Sequence, residues 1–197
     1  MSEFWIFVEI GVKHVLNWNG YDHLLFLLAL AAPYAFSDWK RLLISVSLFT
    51  LGHSISLFLG AYELVTVQST IIEFLIPLTI FCTALFTLFS LGKFSKTKNK
   101  FQPIHYLTVF FGLIHGLGFS YYFNSLLAGS SSTKLFSLIQ FSVGIELAQV
   151  LVVVLVLIFS YVFQSVLRFS QRDFTLTLSA FVLGVVLPLL IQNPIWH

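Results

Sequence analysis

A chain of 197 residues that is 58% hydrophobic and only 9% charged, with a mean hydropathy of +0.94, is not a soluble domain, where about 25% of residues carry charge. It predicts an all-α integral membrane protein, with 23 phenylalanines suited to a lipid-facing surface. The net charge of +2 forms no basic patch outside short loops, which excludes a nucleic-acid partner, and the single Cys82 excludes an intrachain disulfide.

In chain order, residues 3–16 read as a helix too short for a span, which needs about 20 apolar residues. Trp5, Glu9 and Lys13 make one polar face with Glu9 paired to Lys13, and His14 lies on another face, so an interfacial or half-inserted helix is expected. No basic leader precedes it, so no cleaved signal is expected. Asn17-Trp18-Asn19-Gly20 is a turn-rich break expected to fold this helix back onto the next segment. Six spans follow, near 21–36, 42–62, 67–91, 104–127, 135–163 and 174–191, in a single membrane domain covering residues 1–197. Residues 129–133 read as a flexible connection. No internal repeat is visible.

Basic residues set the expected orientation. Lys40 and Arg41, then Lys93, Lys96, Lys98 and Lys100, then Arg168 and Arg172 occupy alternate loops, leaving only Lys13 and Lys134 on the other side. The positive-inside rule places those three loops in the cytoplasm and both termini outside.

At 1.5 Å per residue, the polar groups within these spans share a depth. Asp22 and His23 open the first span, and His53 and His115 sit at matching heights in the second and fourth. Glu146 lies about eleven residues into the fifth span and Glu73 about six into the third, each counted at the rise of one residue. An ionisable group on a lipid-facing surface costs roughly 2.5–3.5 kcal/mol on insertion scales, so these groups should face one interior. Histidines and carboxylates without a thiolate suit Ni²⁺, Zn²⁺, Co²⁺ or Fe²⁺. The expected ligands are His14, Asp22, His23, His53, His115 and Glu146. Glu73 is a further candidate, Ser54 flanks His53, and Ser142 and Gln149 would orient the Glu146 carboxylate. The bland readings are a helix–helix hydrogen bond for His53 or His115 and a helix cap for Asp22. A proton-linked network of the same groups is the alternative to a metal. His105 and His197 are expected to be solvated.

Five stretches in order carry a resemblance. His14 followed by Gly20-Tyr-Asp-His-Leu-Leu-Phe-Leu-Leu-Ala-Leu30, Phe49-Thr-Leu-Gly-His-Ser54, Glu73-Phe-Leu-Ile-Pro77, Phe111-Gly-Leu-Ile-His-Gly-Leu-Gly-Phe119 and Gly144-Ile-Glu-Leu-Ala-Gln149 resemble the HupE/UreJ family of small polytopic membrane proteins. That resemblance implies a setting beside hydrogenase or urease genes, the bacterial inner membrane and a link to nickel uptake. It also implies that Asp22, His23, His115 and Glu146 are functional positions, with His14 and His53 beside them. His115-Gly116 is not followed by a glutamate on its own helix, as in the family's nickel permeases; the glutamate stands on the next span.

Three classes of function remain. The first is a nickel- or cobalt-type permease that takes an ion from outside. The second is an intramembrane zinc hydrolase with Asp22 or Glu146 as general base and an amphiphilic substrate delivered from the bilayer. The third is a subunit braced by a structural metal. The partners expected are the lipid bilayer and the metal ion, with a homo-oligomer left open.

Overall fold

The computed structural model describes residues 3–18, 20–89, 103–126 and 131–196. Those residues form seven α-helices and no strand: α1 (Glu3–Val15), α2 (Asp22–Ala31), α3 (Trp39–Ala61), α4 (Ser69–Phe89), α5 (Pro103–Leu126), α6 (Ser131–Val166) and α7 (Gln171–Ile191). Four helical stretches, Phe36–Ala61, Ser69–Phe89, Lys134–Val166 and Gln171–Trp196, are long and apolar enough to cross a membrane. The outer face of α6 exposes Ile139, Leu147, Leu151, Leu155 and Phe159, a stripe that lipid would cover and water would not tolerate.

Glycine sets two of the helix crossings. On α3, Gly52, Ser56 and Gly60 recur every fourth residue and face Gly112, Gly116 and Ser120 on α5. A Cβ on Gly52 would strike the Val109 carbonyl, and one on Gly112 the Phe49 carbonyl. The same register holds between α1 and α6, where Gly11 faces the Phe141 carbonyl and Gly144 the Val8 carbonyl. In each pair a glycine meets the carbonyl three residues before its partner glycine, so both pairs are parallel and both bring backbones into contact.

The relation of α1 to α2 departs from the sequence expectation. Phe7 packs on Phe123 and His14 on Phe119, so α1 runs antiparallel to α5. His23 packs on His115 and Phe26 on Phe111, so α2 is antiparallel to α5 as well. The two helices therefore point the same way, and the chain does not fold back between them. Together they form one interrupted helix, with segments of about 20 Å and 15 Å at 1.5 Å per residue. The expected span 21–36 is helical only to Ala31. Beyond it, the Ala32 carbonyl accepts from Thr175 Oγ1 at 2.8 Å and from Gln171 Nε2 at 3.1 Å. Thr87 Oγ1 donates to the Ala29 carbonyl at 3.1 Å. The carbonyls at the end of α2 thus find donors on α4 and α7, which anchors a helix too short to stand alone.

The Glu9–Lys13 pair closes at 2.6 Å on the exposed side of α1. Residues 131–133 are the first turn of α6 rather than part of a loop. The basic stretch at 93–100 lies outside the described residues.

Candidate metal centre

Four imidazoles meet where α1 breaks off and α2 begins. His14 comes from the last turn of α1, His23 from the first turn of α2, His53 from α3 beside Gly52, and His115 from α5 beside Gly116. Ring centroids are 4.6 Å apart for His14 and His23, 5.7 Å for His14 and His53, 5.7 Å for His23 and His53, and 5.3 Å for His23 and His115. One nitrogen from each of His14, His23 and His53 can be chosen so that all three lie within 4.8 Å of one another. The glycine crossing of α3 and α5 is what sets both His53 and His115 against His23, since a larger residue at Gly52, Gly112 or Gly116 would push the helices apart.

The hydrogen bonds around the rings leave ring nitrogens unpartnered within the cluster. His115 Nδ1 donates to the Phe111 carbonyl at 2.8 Å, so its Nε2 carries the lone pair. His23 Nδ1 is 3.3 Å from Asp22 Oδ1, which fixes the same tautomer on His23. Asp22 therefore stands behind His23 as an orienting carboxylate, the arrangement that holds many metal-bound imidazoles. Nε2 of His14, His23 and His115 and both ring nitrogens of His53 are buried without a hydrogen-bond partner. Each such group costs about 1–3 kcal/mol when left unsatisfied. A cluster of them is the donor set of a borderline divalent cation, and these residues fit one.

The walls divide the centre in two. Phe26 and Phe49, both fully buried, stack at 4.5 Å beneath His23 and His115. On the other side lies a cavity of about 930 Å³ whose lining includes Lys13, His14, Asn17, Trp18, Asp22 and Tyr122. The interruption between α1 and α2, together with His14, is thus the side that the cavity shares with the imidazoles.

The remaining candidates lie elsewhere. Glu146 accepts from Ser47 Oγ at 2.6 Å and from Thr50 Oγ1, on a face of α3 different from that of His53. Gly144 turns its own side of α6 toward α1, which points Glu146 along the α3–α6 seam and away from the imidazoles. Ser142 and Gln149 do not hold the carboxylate as expected: Ser142 accepts from Ser54 Oγ at 2.8 Å and Gln149 Oε1 from Thr50 Oγ1 at 2.9 Å. Ser47 and Thr50 went unrecognised as partners because they sit on another helix, and nothing in the spacing of α6 points to them. Glu73 is exposed at the start of α4, where its backbone carbonyl accepts from Asn193 Nδ2 at 3.1 Å. His105 is not solvated: it is buried, with Nδ1 3.0 Å from Ser45 Oγ. His197 lies outside the described residues.

The chain is thus an all-helical protein with helices suited to cross a membrane and a buried cluster of imidazoles at the break between two of them. The sequence matches the family described as HupE / UreJ protein over residues 1–193, and the chain belongs to that family. The family is associated with nickel or cobalt transport or with accessory roles. No curated protein and no solved structure matches the chain.

Proposed function

We propose that the protein is a transition-metal permease of the nickel and cobalt type, with His14, His23, His53 and His115 as the ligands of the transported ion. The observation that carries this reading is the convergence of buried, unpartnered imidazole nitrogens from four helices at the break between α1 and α2. Interrupted helices at a substrate site are a recurrent device of secondary transporters. Backbone freed at the break can shift without unmaking a whole helix.

In this reading α1 and α2 are the two halves of the first of six spans, with α3 to α7 as the rest. The alternating basic loops support both termini outside, and the family supports a bacterial inner membrane. The cavity beside Lys13, Trp18 and Asp22 is then the outer entrance. An aquo-ion arriving there meets the Asp22 carboxylate, exchanges water for imidazole, and rests above the floor formed by Phe26 and Phe49. Passage inward requires that floor to part, with α2 moving as the carrier of Phe26 while its last turn stays held by side-chain hydrogen bonds to α4 and α7.

Elemental analysis of the purified protein beside nickel uptake into liposomes tests the reading. Bound metal, and uptake that is lost in His23→Ala, are expected. A protein that holds metal but passes none would overturn transport and point to the zinc hydrolase. The three-imidazole set of His14, His23 and His53 also fits that enzyme, with Asp22 the carboxylate nearest the ligands. Metal bound with neither flux nor hydrolysis would leave the structural subunit.

A further inference from the structure

We propose that Glu146 is a proton-binding site that couples proton uptake to the geometry of the histidine centre. Its part in transport rests on the permease reading; the binding of a proton does not. Glu146 lies on α6 in a groove of about 520 Å³ between α3 and α6, walled by apolar side chains such as Leu51, Ile55 and Leu138. A carboxyl kept among apolar walls in a membrane segment calls for a function.

The hydrogen-bond count around it differs between the two protonation states. Thr50 Oγ1 has one hydrogen to give and three acceptors around it: the Val46 carbonyl at 3.3 Å, Gln149 Oε1 at 2.9 Å, and Glu146 Oε2. With Glu146 ionised, Thr50 donates to the carboxylate and Gln149 Oε1 loses its donor. Gln149 is fully buried, and its Nε2 has no partner. Its amide must then turn over so that Nε2 donates to Thr50 Oγ1. With a proton on Glu146 the order reverses. The carboxyl O–H donates to Thr50 Oγ1, Thr50 donates to Gln149 Oε1, and Ser47 continues to donate to the other carboxyl oxygen. A single proton, gained and lost at one oxygen, therefore resets the seam.

Among the described residues, no second titratable group lines the groove. The face of α3 toward Glu146 offers Ser47, Thr50 and Ser54, and α6 itself offers Ser142 and Gln149. The titratable groups of the other elements packed on α6 are Glu9, Lys13 and His14 on α1, Asp22 and His23 on α2, Asp38 in the 3-10 turn before α3, and Arg172 and Asp173 on α7; the first two are the exposed pair, the next three belong to the centre, and the last three pack toward the far end of α6 from Glu146. Ser54 and Ser142, bonded to each other at 2.8 Å, extend the hydroxyl strip one turn from the carboxyl and form the route for the proton.

Coupling follows from what the seam joins. Thr50 lies three residues from His53 on α3. Glu146 lies two residues from Gly144, which is packed on Gly11, and Gly11 lies three residues from His14. The seam thus connects the helix pair carrying His53 and His115 to the pair carrying His14. Resetting it alters the separation of His14 and His53 and with it the fit for an ion.

Infrared difference spectra of the full-length protein on addition of nickel chloride test this directly, with Glu146→Gln and Glu146→Asp beside wild type. A protonated-carboxyl band that changes with nickel in wild type, vanishes in E146Q and shifts in E146D is expected. E146Q should keep the wild-type nickel stoichiometry, yet its uptake into liposomes should no longer respond to an imposed pH gradient. A wild type that binds nickel with every carboxyl band unchanged overturns the proposal, and so does a band that survives in E146Q. A wild type that binds no nickel refutes the histidine centre and the coupling together. In that case a pH titration of the same band decides whether Glu146 takes a proton, and a band that never appears overturns that too.

Discussion

At the scale of single residues, the proposed centre separates ligands from the groups that would aim them. His23 and His115 each have Nδ1 occupied and Nε2 unpartnered, so removing either ring deletes a donor outright. His115→Ala is expected to lose bound metal, measured by elemental analysis. His105→Ala should keep it, because that ring bonds Ser45 and not the cluster. Equal loss in both would place the ion at the His105 end of the chain. Asp22 acts through His23, and Asp22→Asn should weaken metal affinity by about 10–100-fold, the usual effect of losing an orienting carboxylate. At saturating metal its stoichiometry should be unchanged; a lost equivalent would make Asp22 a ligand. Acid should release the ion in either case. A protonated imidazole has no lone pair to give, so binding displaces protons and affinity falls as pH falls; competition titrations across pH measure the sign.

At the scale of helices, close glycine contact positions the histidines. Gly112→Ala puts a methyl against the Phe49 carbonyl and should cost about 1–3 kcal/mol, as overpacking does. Gly184 on α7 has nothing within 4 Å of its Cβ position. Gly184→Ala should therefore be neutral or stabilising by up to about 1 kcal/mol through helix propensity alone. Thermal melts of the two variants in one detergent compare them, and equal melting temperatures would deny the crossing its role. The small-residue repeat at Gly112 and Gly116 was legible in the sequence as a place of close helix contact; that α3 is the helix it meets was not. The route of α1 was not. A break such as Asn17–Gly20 reverses a chain or merely interrupts it, and only the packing of Phe7 on Phe123 and His14 on Phe119 decides which. Shared depth likewise grouped Glu146 with the histidines. Depth fixes height along a helix and says nothing of the face, and the packing of Gly144 of α6 against α1 turns Glu146 to the seam instead.

At the scale of the whole molecule, the claim that joins site to transport is sidedness. The cavity includes Trp18, the most exposed tryptophan of the chain at 84%, while Arg168 and Arg172 lie at the turn joining α6 to α7. α1 and α6 are parallel, so the beginning of α1 and the end of α6 lie at opposite ends of the bundle. If the basic loops are cytoplasmic, the start of α1 is outside and Arg168 inside, and Trp18, at the break between the two half-spans, is reached from the outside through the proposed entrance cavity. Cys82 is exposed on the surface of α4 and must first be replaced by Ala so that it does not report. In that background, Trp18→Cys in intact cells should react with a membrane-impermeant maleimide, and Arg168→Cys only after permeabilisation. Adding Ni²⁺ should slow the reaction at Trp18→Cys, because an ion held by His14 and His23 restrains the break to which that residue belongs. The reverse pattern of labelling would turn the molecule over in the membrane and make the cavity an exit. Equal labelling of both positions in intact cells would mean that the Phe26–Phe49 floor does not seal, and a gated permease would no longer describe the protein.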